Sequence, residues 1–141
     1  MQTGVNRMKK SKGMSLETLF QALADRTRLR LLNLLAMGEI CVCYFVTLLD
    51  EPQPKISRHL AYLRRSGLVS ARRDGKWIHY QLITPSEPAA ARLLHSLLEE
   101  LRNDASMQRD VAALQRACCA VRLPPEIADA PRPRLDNASS G

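Results

Sequence analysis

No stretch of this 141-residue chain is apolar over the roughly 18 residues that a membrane-spanning helix needs, and its opening, MQTGVNRMKKSKGM, is basic without the hydrophobic run of a secretory signal. A cytoplasmic location is expected. Imidazoles are scarce, three in all, so a metal site built mainly on histidine has little to draw on. There is no internal repeat, no nucleophile-base motif, no evident pair of catalytic acids and no glycine loop that would cradle a phosphate, which leaves an enzyme without support. Acids are thinnest between Gln53 and Lys76, where Asp74 stands alone against seven Lys or Arg.

What is present is basic charge and sulfur. The formal net charge is +7, which suits a polyanionic partner, and the 45% apolar content is ordinary for a chain of this length with one core. Four cysteines fall in two tight groups, Cys41-Val42-Cys43 and Cys118-Cys119. Cytosolic thiols are kept reduced and neither group has C-x-x-C spacing, so soft-ion binding or redox sensing ranks above a disulfide framework or a thiol oxidoreductase.

Residues 1–14 read as a flexible basic arm and residues 123–141 as a flexible tail, because PPEIADAPRPRLDNASSG has four prolines and few apolar side chains to offset its ordering entropy. Between them, residues 15–122 read as one domain. Leu16, Leu19, Phe20 and Leu23 recur at helical spacing behind Ser15, and Leu29 to Leu35 form a broad stripe behind Asp25 that ends near Gly38. A third helical pattern spans Cys41 to Leu49, and Pro52 and Pro54 interrupt it. The next helix runs from Pro54 to about Ser66. At about 100° per residue its Ile56, Leu60 and Leu63 share one face, with Lys55, Arg58, His59 and Tyr62 on another. Val69–Arg73 and Trp77–Ile83 are β-prone and joined by Asp74-Gly75-Lys76, a hairpin signal. After Pro88, leucines 93, 94, 97, 98 and 101 stripe one long helix, and another is expected from about Met107 to Cys119.

Three helices, a proline turn, an amphipathic helix with a basic face and a hairpin with a basic tip make a mainly α chain with the order of a winged helix-turn-helix. A helix enters the major groove only if one face is anchored and the other offers donors and small side chains. The candidates are Lys55, Ser57, Arg58, His59 and Tyr62, with Arg64 and Arg65 nearer the backbone and Arg72, Arg73 and Lys76 at the wing. The partner would be double-stranded operator DNA.

The blocks ADRTRLRLLNLL, ICVC, SRHLAYLRRSGLV and RRDGKWIHYQL resemble, in order and spacing, the ArsR/SmtB family of metal-responsive repressors. The resemblance spans most of the chain. It implies a homodimer of five or six helices and one wing per subunit, joined through terminal helices, with two recognition helices in successive major grooves. The leucine stripe at 93–101 is a separate reason to expect a dimer, with packing within the subunit as the competing account.

ICVC is similar to the ELCVCDLC sequence of the family's arsenic-responsive branch, which implies that Cys41 and Cys43 serve as thiolate ligands of trivalent arsenic as arsenite, methylarsenite or antimonite in its place. Val46 stands where that sequence has its third cysteine. Residues two apart on a regular helix point about 200° apart, so the pair is expected to need a loosened first turn to chelate one ion. Cys118 and Cys119 are the candidates for a third thiol, or for a separate site suited to a singly methylated arsenical. Zinc is disfavoured, His95 and Glu99 being the only evident harder ligands on the long helix. The competing readings are a winged-helix repressor triggered by thiol oxidation and a winged-helix module that binds protein.

Overall fold

The structure is a computed structural model and describes residues 14–135. Residues 1–13 of the expected basic arm and 136–141 of the expected tail lie outside them. The order is α1 (Leu16–Leu23), α2 (Arg26–Leu35), β1 (Gly38–Cys41), α3 (Val42–Leu49), α4 (Gln53–Arg65), β2 (Val69–Asp74), β3 (Trp77–Leu82), α5 (Pro88–Leu101), α6 (Ala105–Cys119) and β4 (Arg134–Leu135). Six helices and a four-stranded antiparallel sheet of order β2-β3-β1-β4 make up a winged helix.

The caps follow from side chains read in the sequence. Ser15 accepts from the Thr18 amide ahead of α1, and Asp25 accepts from the Arg28 amide ahead of α2, each satisfying an orphan donor of a first turn. Asp104, which sequence reading passed over, does the same for Ser106 and Met107 and starts α6 two residues before the expected Met107. Pro88 opens α5, where its missing N–H costs nothing.

The core is the leucine stripe of α2 against Leu19 of α1, Tyr44 and Phe45 of α3, and Ile56, Leu60 and Leu63 of α4. Helix α6 is clamped to α2 by Arg30, whose guanidinium donates to both Asp110 carboxylate oxygens at 2.8 and 2.9 Å, and by Asn33 Nδ2 donating to the Met107 carbonyl. Of the 93–101 stripe, Leu94 and Leu101 are buried and Leu98 packs on the core, whereas Leu93 faces outward. Packing within the subunit therefore accounts for Leu94, Leu98 and Leu101 but not for Leu93.

The hairpin turns at Gly75-Lys76, with Asp74 paired to Trp77 and Gly75 at φ 62°. Positive φ at the first central position alone is the pattern of a type II′ turn, one of the two whose twist matches the strands.

Two strands were not anticipated. β1 precedes α3 and pairs with β3, Ile40 opposite Tyr80 and Cys41 opposite His79. β4 pairs with the other edge of β1, Gly38 opposite Leu135 and Glu39 opposite Arg134. The expected loose tail beyond residue 123 is thereby corrected for 124–135: Ile127 and Ala130 are buried in the main core, and Leu123 and Leu135 pack against it. The segment needs no core of its own. A few apolar side chains suffice when they land on surface the helices already present.

Candidate nucleic-acid interface and thiol site

Helix α4 lies across α2 and is held at its inner face by Ile56, Leu60 and Leu63. Gln53, Ser57, Arg58, Ala61, Arg64 and Arg65 are exposed on its outer side, and Arg73 and Lys76 are exposed at the hairpin tip. This is the group of predicted residues that the structure leaves facing outward. Gln53 and Ala61 were not among the predicted contacts, although an amide and a small methyl are what base edges also accept.

The other predicted contacts are engaged within the chain. Arg28 stacks 4.1 Å above the Tyr62 ring and donates from Nε to the Ala22 carbonyl and from a terminal nitrogen to the Gln21 carbonyl. Another terminal nitrogen lies 3.3 Å from His59 Nδ1. His59 and Tyr62 therefore face α2 rather than the outer side. Burial first, then the positive charge of Arg28 and Arg58 against the pull of Asp25, keeps the His59 imidazole below its usual range. It is neutral at pH 7 and no cationic partner for a phosphate. Lys55 pairs with Glu51 at 3.0 Å. Arg72 forks onto both Glu39 oxygens at 2.8 and 3.1 Å, bracing β2 across to β1.

The sulfur site departs from the helical-wheel expectation. Cys41 is the last residue of β1 and the N-cap of α3, in extended conformation, while Cys43 sits in the first turn of the helix. The wheel argument does not apply to a residue outside the helix. The two Sγ atoms are 3.2 Å apart with α3 intact, so no unwinding is needed to bring the pair together.

A hydrogen bond from the Cys43 thiol pulls the Cys41 thiol well below its ordinary range; burial opposes this, and the Cys43 and Ile78 amides and His79 add to it. Cys43 is pushed up for the same reason, since its proton is the one shared. At neutral pH the pair is one thiolate and one thiol. This predicts thiolate absorbance near 240 nm that persists below pH 8.5, roughly where an ordinary thiol is half protonated, and is lost only as pH falls through the depressed value. Cys43→Ala removes the donor and should carry that step upward toward the ordinary range. Because the folded value is the lower one, the thiolate stabilises the fold above the unfolded thiol's pKa and less as acid is added.

Cys118 and Cys119 end α6. The Cys118 thiol is half-buried with the Pro133 carbonyl at 3.6 Å, and Cys119 is exposed. Among the described residues no group of three or more His, Cys, Asp or Glu is arranged to hold a metal ion. His95 and Glu99 are 3.4 Å apart on an exposed face. The buried Tyr44 hydroxyl has no hydrogen-bond partner among the described residues, and burial first, then the neighbouring Cys118, pushes its pKa up. No described helix is long and apolar enough to cross a membrane.

Residues 25–71 match the family model for bacterial regulatory proteins of the arsR family. The chain is 56% identical over 78 residues to the arsenical resistance operon repressor of Escherichia coli, covering 54% of this chain and 66% of that one. It is 43% identical over 82 residues to the arsenic resistance transcriptional regulator ArsR2 of Pseudomonas putida, covering 57% of this chain and 68% of that one. The chain thus spans about two thirds of the length of these two relatives. Among solved structures, HlyU from Vibrio cholerae superposes with a TM-score of 0.52 at 31% identity, covering 60% of this chain and 88% of that one. This chain belongs to the ArsR family of bacterial regulatory proteins.

Two residues at the site were not singled out in the sequence. Arg28 fixes His59 and Tyr62, and His79 lies opposite Cys41. The only signal for His79 would have been strand β1, four residues long, inside a run that also reads as helix.

Proposed function

We propose that this protein is a transcriptional repressor that binds operator DNA as a homodimer and releases it when trivalent arsenic is captured by Cys41 and Cys43. The observation that carries this is the preassembled pair, two sulfurs 3.2 Å apart at the junction of β1 and α3. A thiolate is the nucleophile that attacks the arsenic centre. Written for arsenous acid, Cys41–S⁻, Cys43–SH and As(OH)3 give a bis-thiolate As–OH, one water and one hydroxide; two As–O bonds are exchanged for two As–S bonds and arsenic stays trivalent. The names of the E. coli and P. putida relatives point to the same element.

Captured arsenic ties the end of β1 rigidly to the first turn of α3. Helix α3 packs on α4 and leads into it through Asp50, which takes a left-handed conformation at φ 53°. A displacement at the pair is therefore delivered to the helix that would lie in the major groove, with Ser57, Arg58, Arg64 and Arg65 as its contacts and Arg73 and Lys76 on phosphates. The dimer is supported by apolar side chains left outward on α1 and α5: Leu16 is 44% exposed, Phe20 53% and Leu93 39%. Cys118 and Cys119 are assigned a second two-thiol site that suits methylarsenite, which has two positions to fill.

The test is release of a labelled operator under reducing conditions. Arsenite should free the DNA from the native protein, and Cys41→Ser or Cys43→Ser should abolish that response while operator affinity stays. Full release from both variants would end the thiol reading. Repeating the titration with methylarsenite on Cys118→Ser and Cys119→Ser tests the second site. A redox trigger is the competing reading, supported by the close sulfur pair and by likeness to a structure of reduced HlyU at 31% identity and a TM-score of 0.52. It requires peroxide to free the DNA and arsenite to fail.

A further inference from the structure

Residues paired directly across a sheet share a face. Arg72, His79 and Cys41 are such a row, and Glu39 lies on the same side of β1 as Cys41. The opposite face carries Ile40 and Val69 into the core. The reactive sulfur is on the other face, at the end of β1 where α3 begins and beside Cys43, and the C-terminal segment runs along the free edge of β1 there. Arg132 donates to the carbonyls of Ala117 and Cys118, Cys118 contacts Pro133, and β4 zips onto β1. Cys41, a member of the core cluster, is 0% exposed.

A cleft of about 470 Å3 remains between this segment and the wing. Arg72, His79 and Gln81 line one side, Arg132 and Arg134 the other, with Glu39 between them. His79 is 6% exposed, and its Nε2 has no hydrogen-bond partner among the described residues, standing 3.4 Å from Asp74 Oδ2 without bonding to it. A buried ring nitrogen without a partner is costly unless something completes it.

The chemistry of the walls selects the occupant. An oxyanion would meet Asp74 and Glu39, and an apolar ligand would strand every lining side chain but Pro131. A small uncharged acid with several hydroxyls offers a donor and an acceptor at each oxygen and can satisfy both signs at once. We propose that this cleft is a docking site for a small uncharged polyhydroxy oxyacid, arsenous acid being its occupant, held against His79 before the sulfurs behind it take the arsenic. The assignment of arsenous acid rests on the thiol reading above; the docking chemistry does not. No covalent change occurs in the cleft, and the exchange of As–O for As–S bonds is the one already written.

Two measurements decide it. In stopped flow, the As–S absorbance should rise at a rate that saturates with arsenite concentration, because docking precedes bond formation. His79→Gln and the exposed Gln81→Leu should each raise the half-saturating concentration about tenfold, the equivalent of one hydrogen bond of roughly 1.4 kcal/mol, with the final amplitude unchanged. A rate strictly linear in arsenite, with both variants like the native protein, overturns the proposal. Boric acid, an uncharged trihydroxy acid with no affinity for thiols, separates docking from sulfur chemistry. Titrated into the Cys41→Ser/Cys43→Ser protein, it should shift the His79 imidazole resonances saturably, and Gln81→Leu should weaken that response. Unmoved His79 resonances would refute the docking site even where arsenite is captured, while a saturable shift with no As–S signal in the native protein would uphold the site and refute the thiol reading.

Discussion

Gly38→Ala is expected to destabilise the protein by about 2 kcal/mol, a fall in Tm of roughly 8 °C for a chain of this size, and to expose Cys41 to alkylation. A Cβ at residue 38 would stand 2.4 Å from the Arg134 carbonyl oxygen, a distance that real Cβ atoms do not adopt, and the obstructing atom is backbone rather than a side chain that can swing away. The φ of 153° adds strain of its own. Relief comes by moving β4 off β1, and with β4 go the Pro133 and Arg132 contacts that close the outer face of the sheet. Thermal melts give the first number and the rate of alkylation by iodoacetamide gives the second. Gly75→Asn is the contrast: nothing lies within 4 Å of a Cβ there, and asparagine tolerates positive φ better than most residues, so the loss should be well under half as large. An alanine at 38 that melts with the native protein and leaves Cys41 protected would mean that β4 does not hold the cover in place.

How far such features can be read from sequence depends on how local they are. The helices were legible because their apolar spacing and caps lie within a few residues of each other, as at Ser15, Asp25 and Pro88. β1 and β4 were not, because four residues and two carry no period, and both exist only through partners far along the chain. The same limit shaped the site. Residue type marked Cys41 and Cys43 as a thiol pair, yet treating Cys41 as helical put the sulfurs on opposite sides, whereas its extended backbone puts them together. On α4 the wheel found the buried face but could not see Arg28, a residue of another helix, drawing His59 and Tyr62 inward. Arg72 looked like a wing contact until the register set it beside Glu39.

Those distinctions become measurable on DNA, where Arg58→Ala should weaken operator binding by roughly 1–3 kcal/mol for each bidentate pairing with a base edge that it removes, the largest single effect expected on affinity. Arg58 is exposed on the outer face of α4, and no carboxylate among the described residues pairs with it. A dimer carries two copies. If Arg58 instead meets a phosphate, removing both copies should flatten the dependence of log K on log salt by about 1.8, each neutralised phosphate being worth about 0.9. Arg72→Ala removes the same formal charge from each subunit but takes it from a fork already neutralised by Glu39. It should leave the salt slope near that of the native protein and act mainly on stability, leaving Glu39 without its partner. His59→Ala belongs with Arg72: a neutral ring facing α2 contributes packing, so its removal should appear in thermal melts before it appears in affinity. Fluorescence anisotropy on a labelled operator at several salt concentrations separates the classes, because net charge alone predicts equal slopes for Arg58→Ala and Arg72→Ala. Equal slopes together with an affinity unchanged by Arg58→Ala would show that the outward face of α4 is not where the phosphates or bases are met.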